Sequence, residues 1–472
     1  MFLGIRSSSD CPRSKYPPVA VRVAVSPGSV SECIHLPPHI YPLSSPSMSD
    51  HLKATLKYCR RILVSKEQYD LIAGLVLLSE LVLNTAIIKY VRYTEIDWIA
   101  YMQQIRSYSL GERNYLKLKG DTGPLVYPAG FVHVYSVLYS LTQQGQDVKL
   151  AQYLFGAIYL ITMGFVLAIY KRCESLPTYA IFSLILSKRM HSIYVLRLFN
   201  DGIAMMGLYV SIWCLVTRRW NWSALWFSLA LSIKMNILLF FPALGFIYFQ
   251  TVGVLKTINL MLIIVLVQAW LAIPFLLEFP REYLSKAFEF KRVFEYQWTV
   301  NWRMVPQSTF LSSGFASSLT LLHLSTLVWF AWTRWSRASR GDSLISLLVR
   351  GLRNWNRPAA ARPDQLTPDY IVKVCFTSNL IGIICARTLH YQFYSWYAHQ
   401  IVFLAWQTPY PIFLRILLML SIEYSWNVFP STSISSTVLL LSNILLLGGT
   451  WWSFDQSCSA TPVAVKKKHK VT

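Results

Sequence analysis

The chain has 472 residues, 54% of them hydrophobic and 15% aromatic, and only 14% charged, well below the share of about a quarter found in soluble domains. Apolar runs of about 20 residues recur along it, which excludes a string of soluble domains and predicts an all-α polytopic membrane protein. The net charge of +22 does not point to nucleic acid, because the basic residues lie between apolar runs, as in cytoplasmic loops under the positive-inside rule.

Residues 1–50 are rich in Ser and Pro and lack the apolar core of a cleaved signal peptide. They read as a disordered tail, or as an extension ahead of a start at Met48. The stretch 52–66 carries five basic residues and no acid, so residues 1–66 are expected to form a cytosolic tail. A first span near 69–90 then delivers residues 91–128 to the far side of the membrane. The run 129–142 is too short to cross easily and reads as a half-inserted helix on that side, an assignment that places Lys171, Arg172, Arg218 and Arg219 in the cytosol. Spans follow near 150–170 and 202–216. The stretch 223–250, interrupted at "KMN" (234–236), reads as two short helices meeting on the far side. Spans near 257–278 and 310–332 bracket a second far-side loop, 279–308. Residues 67–333 thus form one membrane module.

The segment 334–369 holds seven Arg, three Asp and three Pro and reads as a cytosolic basic linker. Four more spans, near 370–387, 396–408, 412–427 and 434–452, make a C-terminal membrane unit, 370–455, ahead of a cytosolic tail, 456–472. The expectation is about twelve spans plus the half-inserted helix. Lys188 and Arg189 fit no loop in this scheme, since they fall within or at the far end of the third span. The eight Cys are scattered, with no metal-ligand spacing, so no metal and no cofactor is expected.

On this topology the polar residues that a bilayer tolerates poorly gather on one face. They are Glu95 and Asp97 in "YTEIDWIAYM", the stretch "LKLKGDTGPLVYPAG" (116–130), "HSIYVLRLFNDG" (191–202), "KMN", "QWTVNWR" (297–303) and "RTLHYQFYSWY" (387–397). Ionisable residues at membrane depth usually mark a functional site. Each also has a plainer reading. Asp97, Glu95 or Asp201 can cap a helix, Arg197, Lys188 or Lys234 can snorkel to headgroups, and His390 can be a satisfied buried histidine. "GDTGPLVYP" lacks the Gly-Lys-Ser/Thr ending of a phosphate loop and reads as a rigid turn. Together the set suits group transfer from a charged lipid: a carboxylate takes a proton from an attacking hydroxyl while cationic side chains stabilise a departing phosphate.

The blocks "YTEIDWIAYMQQI", "GDTGPLVYPAGFVHVYS", "HSIYVLRLFND", "SLALSIKMNILLFFP", "WTVNWR", "SNLIGIICARTLHYQFYSWY" and "IEYSWNVFPST", in this order, resemble one family over residues 67–455. It is the dolichyl-phosphate-mannose-dependent alpha-1,3-mannosyltransferases of the endoplasmic reticulum, the asparagine-linked glycosylation 3 family. The resemblance implies a C-type (GT-C) multi-span glycosyltransferase. Its donor would be dolichyl-phosphate-mannose, and its acceptor the dolichyl-diphosphate-linked oligosaccharide built for N-glycosylation. It would add the first lumenal mannose, with inversion at the anomeric carbon. It places the acid-x-acid motif of the first lumenal loop on Glu95 and Asp97, with Asp97 favoured as base. It sets Arg197, Asn200 and Asp201 near the donor phosphate or behind the acid, with Lys234, Arg303, His390 and Tyr391 as further substrate contacts. Lys468 and Lys470 in "KKKHKVT" resemble a dilysine retrieval signal, which fits endoplasmic reticulum membrane residence. A secondary transporter would commonly show an internal repeat and a midplane site, and neither is visible. A glycolipid-anchor mannosyltransferase shares the acid-x-acid loop but not "GDTGPLVYPAG" or "HYQFYSWY".

Overall fold

The computed structural model describes residues 65–289, 295–338 and 342–454; the Ser/Pro-rich tail, most of the basic stretch 52–66 and the dilysine-like tail lie outside these. The chain is an all-α polytopic membrane protein. By length and composition, seven of the described helices can cross a membrane, and eight if the bent pair Lys188–Leu196 and Asp201–Val216 counts as one span.

The first long helix, α1 (Tyr69–Tyr90), is apolar all round, yet its two faces differ. Leu71, Leu75, Leu78 and Val82 are exposed, as suits a lipid-facing side. Ile72, Val76, Glu80, Asn84 and Ile88 recur every fourth residue and are buried against the bundle. The chain then makes a short loop and enters α2 (Trp98–Ser109). A small hairpin follows, β1 (Lys119–Gly120) pairing antiparallel with β2 (Gly123–Pro124). It lies so close to α2 that a Cβ at Gly120 would stand 2.5 Å from the Ala100 carbonyl oxygen. "GDTG" is therefore a turn, as its residues foretell.

Helix α3 (Ala129–Leu141) fills the run expected to be a partial helix. Its N-terminus docks on the "KMN" break, where the Phe131 amide donates to the Ser232 carbonyl at 3.0 Å. Next come α4 (Val148–Arg172), capped by Asp147 through the Leu150 amide, and the irregular stretch 178–196. That stretch holds Lys188 and Arg189, the two basic residues that fit no expected loop. It runs as a 3-10 helix (Thr178–Leu186), a short α5 (Lys188–His191) and a π-helical turn (Ser192–Leu196), then bends by 111° into α6 (Asp201–Val216). Arg189 and Arg197, on either side of the π-helical turn, both line the cavity described below.

The helix α7 (Trp220–Leu231) packs on α6 through small residues, with Ser211 Oγ donating to the Ser223 carbonyl at 2.8 Å. After the break at 232–234 the chain forms a 3-10 turn (Met235–Phe240) and α8 (Phe241–Val252), then α9 (Val254–Leu276), α10 (Pro280–Ala287), α11 (Gln307–Leu311) and α12 (Ser313–Thr333). The linker carries α13 (Leu344–Arg353). The last four helices are α14 (Pro368–Cys385), buried almost all round, α15 (Ala398–Trp406), α16 (Ile412–Asn427) and α17 (Ser433–Trp452). The loop that follows α1 carries Asp97 to the cavity described below, where α12 begins and α14 ends. The linker joins the other ends of α12 and α14, so it lies on the opposite face.

Candidate active site

A cavity of about 1670 Å³ opens beside the first loop. Asp97, Tyr101, Thr122, Tyr127, Arg189 and Arg197 line it, together with Lys234, His390, Tyr391 and Trp396. Apolar side chains, among them Leu238, Leu239, Leu319 and Phe429, complete the lining.

The two acids of "TEID" have separate tasks. Glu95 Oε2 accepts from the Tyr93 hydroxyl at 2.6 Å, and Oε1 accepts from the Ile99 amide at 3.1 Å, so Glu95 satisfies the open N-terminus of α2. Asp97 stands at the N-cap position but makes no capping bond. Its carboxylate lines the cavity, where the Tyr101 hydroxyl is 3.4 Å from Oδ2. Burial pushes its pKa above the ordinary carboxylate value, opposed by the Thr122 hydrogen bond, the Lys234 charge and Tyr101.

Lys234 stands in the break between α7 and the 3-10 turn Met235–Phe240. Its Nζ donates to Asp201 Oδ2 at 2.6 Å and to Asn200 Oδ1 at 3.1 Å. Its charge also lies 5.6 Å and 5.2 Å from the Tyr127 and Phe393 ring centroids. Asp201 is fully buried and takes a second bond from Trp396 Nε1 at 2.5 Å. It lies in the first turn of α6 without capping it. Asn200 and Asp201 therefore hold the Lys234 ammonium, and only Lys234 of the three lines the cavity.

The arginines are placed differently. Among the described residues neither Arg189 nor Arg197 forms an ion pair. Arg189 lies 4.8 Å from the centroid of the Tyr391 ring, and its buried Nε has no hydrogen-bond partner. The turn between them is held from outside the cavity. Glu80, buried in the middle of α1, accepts from His191 Nε2 at 2.7 Å, Tyr159 at 2.9 Å and Asn84 at 3.2 Å. Gln152 donates to the Val195 carbonyl at 2.7 Å, and the Thr94 amide donates to the Leu196 carbonyl at 3.0 Å. That last bond ties the acid loop to the arginine turn.

Two cationic side chains that lack an acid partner, beside a carboxylate that caps nothing, form a site that can take a proton and hold an anion. The family model for the ALG3 protein matches residues 74–436. The chain belongs to the ALG3 protein family. It is similar to an enzyme of Homo sapiens named Dol-P-Man:Man(5)GlcNAc(2)-PP-Dol alpha-1,3-mannosyltransferase, at 43% identity over 83% of this chain and 89% of the relative. Proteins of the same name in Arabidopsis thaliana and Neurospora crassa are each 42% identical, over 79% and 81% of this chain and 86% and 87% of theirs. No solved structure matches the chain.

In this ALG3 family chain the cavity brings together Asp97, Arg197, Lys234, His390 and Tyr391 of the residues singled out in the sequence. His390 stacks on Phe393, and Tyr391 donates to the Val428 carbonyl at 2.8 Å. Arg303 stands outside the lining, its guanidinium lying on the Tyr296 ring and donating to the Tyr296 carbonyl at 2.8 Å. Arg189 was absent from the sequence reading of the site. Its signal was its misfit, a basic residue where the charge pattern left no cytosolic loop.

Proposed function

We propose that this protein transfers mannose from dolichyl-phosphate-mannose, in alpha-1,3 linkage, onto a dolichyl-diphosphate-linked oligosaccharide. The reading rests on the relatives' names, which give donor, acceptor and linkage. The observation that carries the mechanism is the cavity-facing Asp97, which is relieved of capping by Glu95.

In this reading Asp97 removes the proton of the acceptor hydroxyl as its oxygen attacks the anomeric carbon. The bond from that carbon to the phosphate oxygen breaks, and the phosphate leaves with the electron pair. Displacement in one step inverts the carbon. Arg189 and Arg197 take up the charge growing on the phosphate, and Lys234 sets the field between it and Asp97. Burial makes Asp97 a stronger base than a solvated carboxylate. The mixed polar and apolar lining suits a sugar carried on a polyprenyl chain.

The reading extends to a GT-C architecture in the endoplasmic reticulum membrane with the cavity on the lumenal side. Twelve crossings result when residues 178–196, α6, α7, α15 and α16 are counted as crossings beside the seven long helices. The test is to incubate purified protein with dolichyl-phosphate-mannose and a short lipid-linked acceptor glycan, then map the product. One new alpha-1,3-linked mannose is expected; no transfer, or a different linkage, overturns the reading.

A further inference from the structure

The linker helix α13, "LISLLVRGLR", has two faces of different fate. Leu347 and Gly351 turn inward, Gly351 so tightly that a Cβ would stand 2.4 Å from the Phe249 ring. Ile345, Leu348, Val349 and Leu352 turn outward and are between 46% and 63% exposed, with Trp355 continuing the stripe at 49%. At about 100° per residue, the four helical positions fall within one sector roughly 100° wide. This is a continuous apolar stripe on a segment that joins two spans.

The helix is fixed in place. Its Ser343 cap forms a reciprocal capping box with Ser346. Arg350 is turned inward, pairing with the buried Asp342 and donating to the Ala359 carbonyl at 2.8 Å. The Leu255 amide donates to the Trp355 carbonyl at 3.1 Å, and the Ala359 and Ala360 amides donate to the Phe249 and Gln250 carbonyls. Gly253, at φ +82°, makes room for the passing chain, since a Cβ there would meet the Arg357 carbonyl oxygen at 2.4 Å. The apolar stripe is therefore held outward by a built corner.

We infer that α13 is an in-plane anchor that seats Ile345, Leu348, Val349, Leu352 and Trp355 in the bilayer surface opposite the cavity and favours anionic headgroups there. Two observations choose lipid as the occupant. Thr333 and Pro368 end the two flanking spans, which keeps the linker at the membrane boundary. The exposed charges beside the stripe are mostly basic: Arg353, Arg357 and Arg362 against Asp364. An apolar face edged by arginines, with a tryptophan at its border, is the composition of helices that lie in the headgroup region. This inference rests on the membrane fold and is independent of the transfer reaction.

Hydroxyl-radical footprinting of the full chain in lipid nanodiscs tests it, read by mass spectrometry at Leu348, Leu352 and Trp355. Oxidation is expected to be several-fold lower in discs containing phosphatidylserine than in phosphatidylcholine alone. Arg353→Glu combined with Arg357→Glu should remove that difference while mannose transfer continues, which shows the variant folded. Equal, heavy oxidation in both lipids overturns the proposal. So does protection that appears only when two copies share a disc, which would give the stripe to a second copy of the chain.

Discussion

Glu95 caps the helix that Asp97 begins. Glu95 Oε1 accepts the Ile99 amide at 3.1 Å, while the Asp97 carboxylate makes no cap bond and turns to the cavity. Two neighbouring acids of similar chemistry thus take different roles, Glu95 held by the Tyr93 hydroxyl and the Ile99 amide and Asp97 turned to the cavity.

The acid limb of the rate profile reports Asp97. A base works only when deprotonated, so kcat/KM should fall as pH drops through the Asp97 pKa, which burial holds above the usual carboxylate range. The Thr122 hydrogen bond favours the ionised form. Thr122→Val should therefore move the acid limb to higher pH and leave the plateau rate largely intact. Initial rates across a pH series for both proteins check this, and a limb that stays in place or moves down counts against Asp97 as the titrating base.

The arginine turn should govern the donor. Charge-assisted contacts contribute about 1.5–3 kcal/mol, so Arg197→Ala and Arg189→Ala should each lower transfer roughly ten- to a hundredfold. Both proteins should remain inserted, since neither guanidinium holds an ion pair among the described residues. Steady-state rates at varied donor concentration, at matched protein levels, are the measurement. Near-normal rates in Arg189→Ala would return it to the role of an aromatic-stacked structural residue.

Lys234 and Asp201 form a buried pair, with their side chains 11% and 0% exposed. Removing one partner leaves an uncompensated buried charge, a loss of about 3–5 kcal/mol. Lys234→Met should thus lower the melting temperature markedly, and adding Asp201→Asn should recover much of it. Transfer should stay low in the double variant, because the cation facing the cavity is still missing. Melting curves and transfer assays on the same preparations separate the two effects.

Glu80 should matter without touching substrate. Glu80→Ala removes the acceptor for His191, Tyr159 and Asn84 and frees the turn that carries the arginines. Each buried donor left unsatisfied costs about 1–3 kcal/mol. The expected signature is a lower melting temperature with a raised donor KM and a smaller change for the acceptor. An unchanged donor KM would show that Glu80 stabilises the bundle without positioning the turn.

Much of this arrangement was legible in the residues. The apolar runs located most helices to within a few positions, and the "KMN" interruption appeared where α7 and α8 part. The polar blocks that the sequence placed on one face largely share a cavity. Three features were not legible. The stretch 178–196 runs through 3-10, α- and π-helical turns in succession, which no single periodicity describes. That one of the two acids could cap was legible, but which one does, Glu95 and not Asp97, depends on the path of a single loop that no spacing rule fixes. Arg303 carries the same chemistry as Arg197, but the chain turns at Trp302, at φ +60°, and the Arg303 guanidinium lies on Tyr296, outside the cavity lining.

The most direct test of the account is mannose transfer by Asp97→Asn beside Glu95→Gln, in membranes carrying equal amounts of each. Asn keeps the shape and can cap a helix about as well as Asp, but it cannot take the proton. Burial also disfavours the ionised Asp97, whose raised pKa costs stability as pH rises through it, so Asp97→Asn should melt no lower than the parent at neutral pH. General-base help is commonly about 10²–10⁴-fold. Near-abolished transfer is expected in a stable Asp97→Asn protein, with a milder loss in Glu95→Gln; full activity in Asp97→Asn would contradict a role for Asp97 as the base.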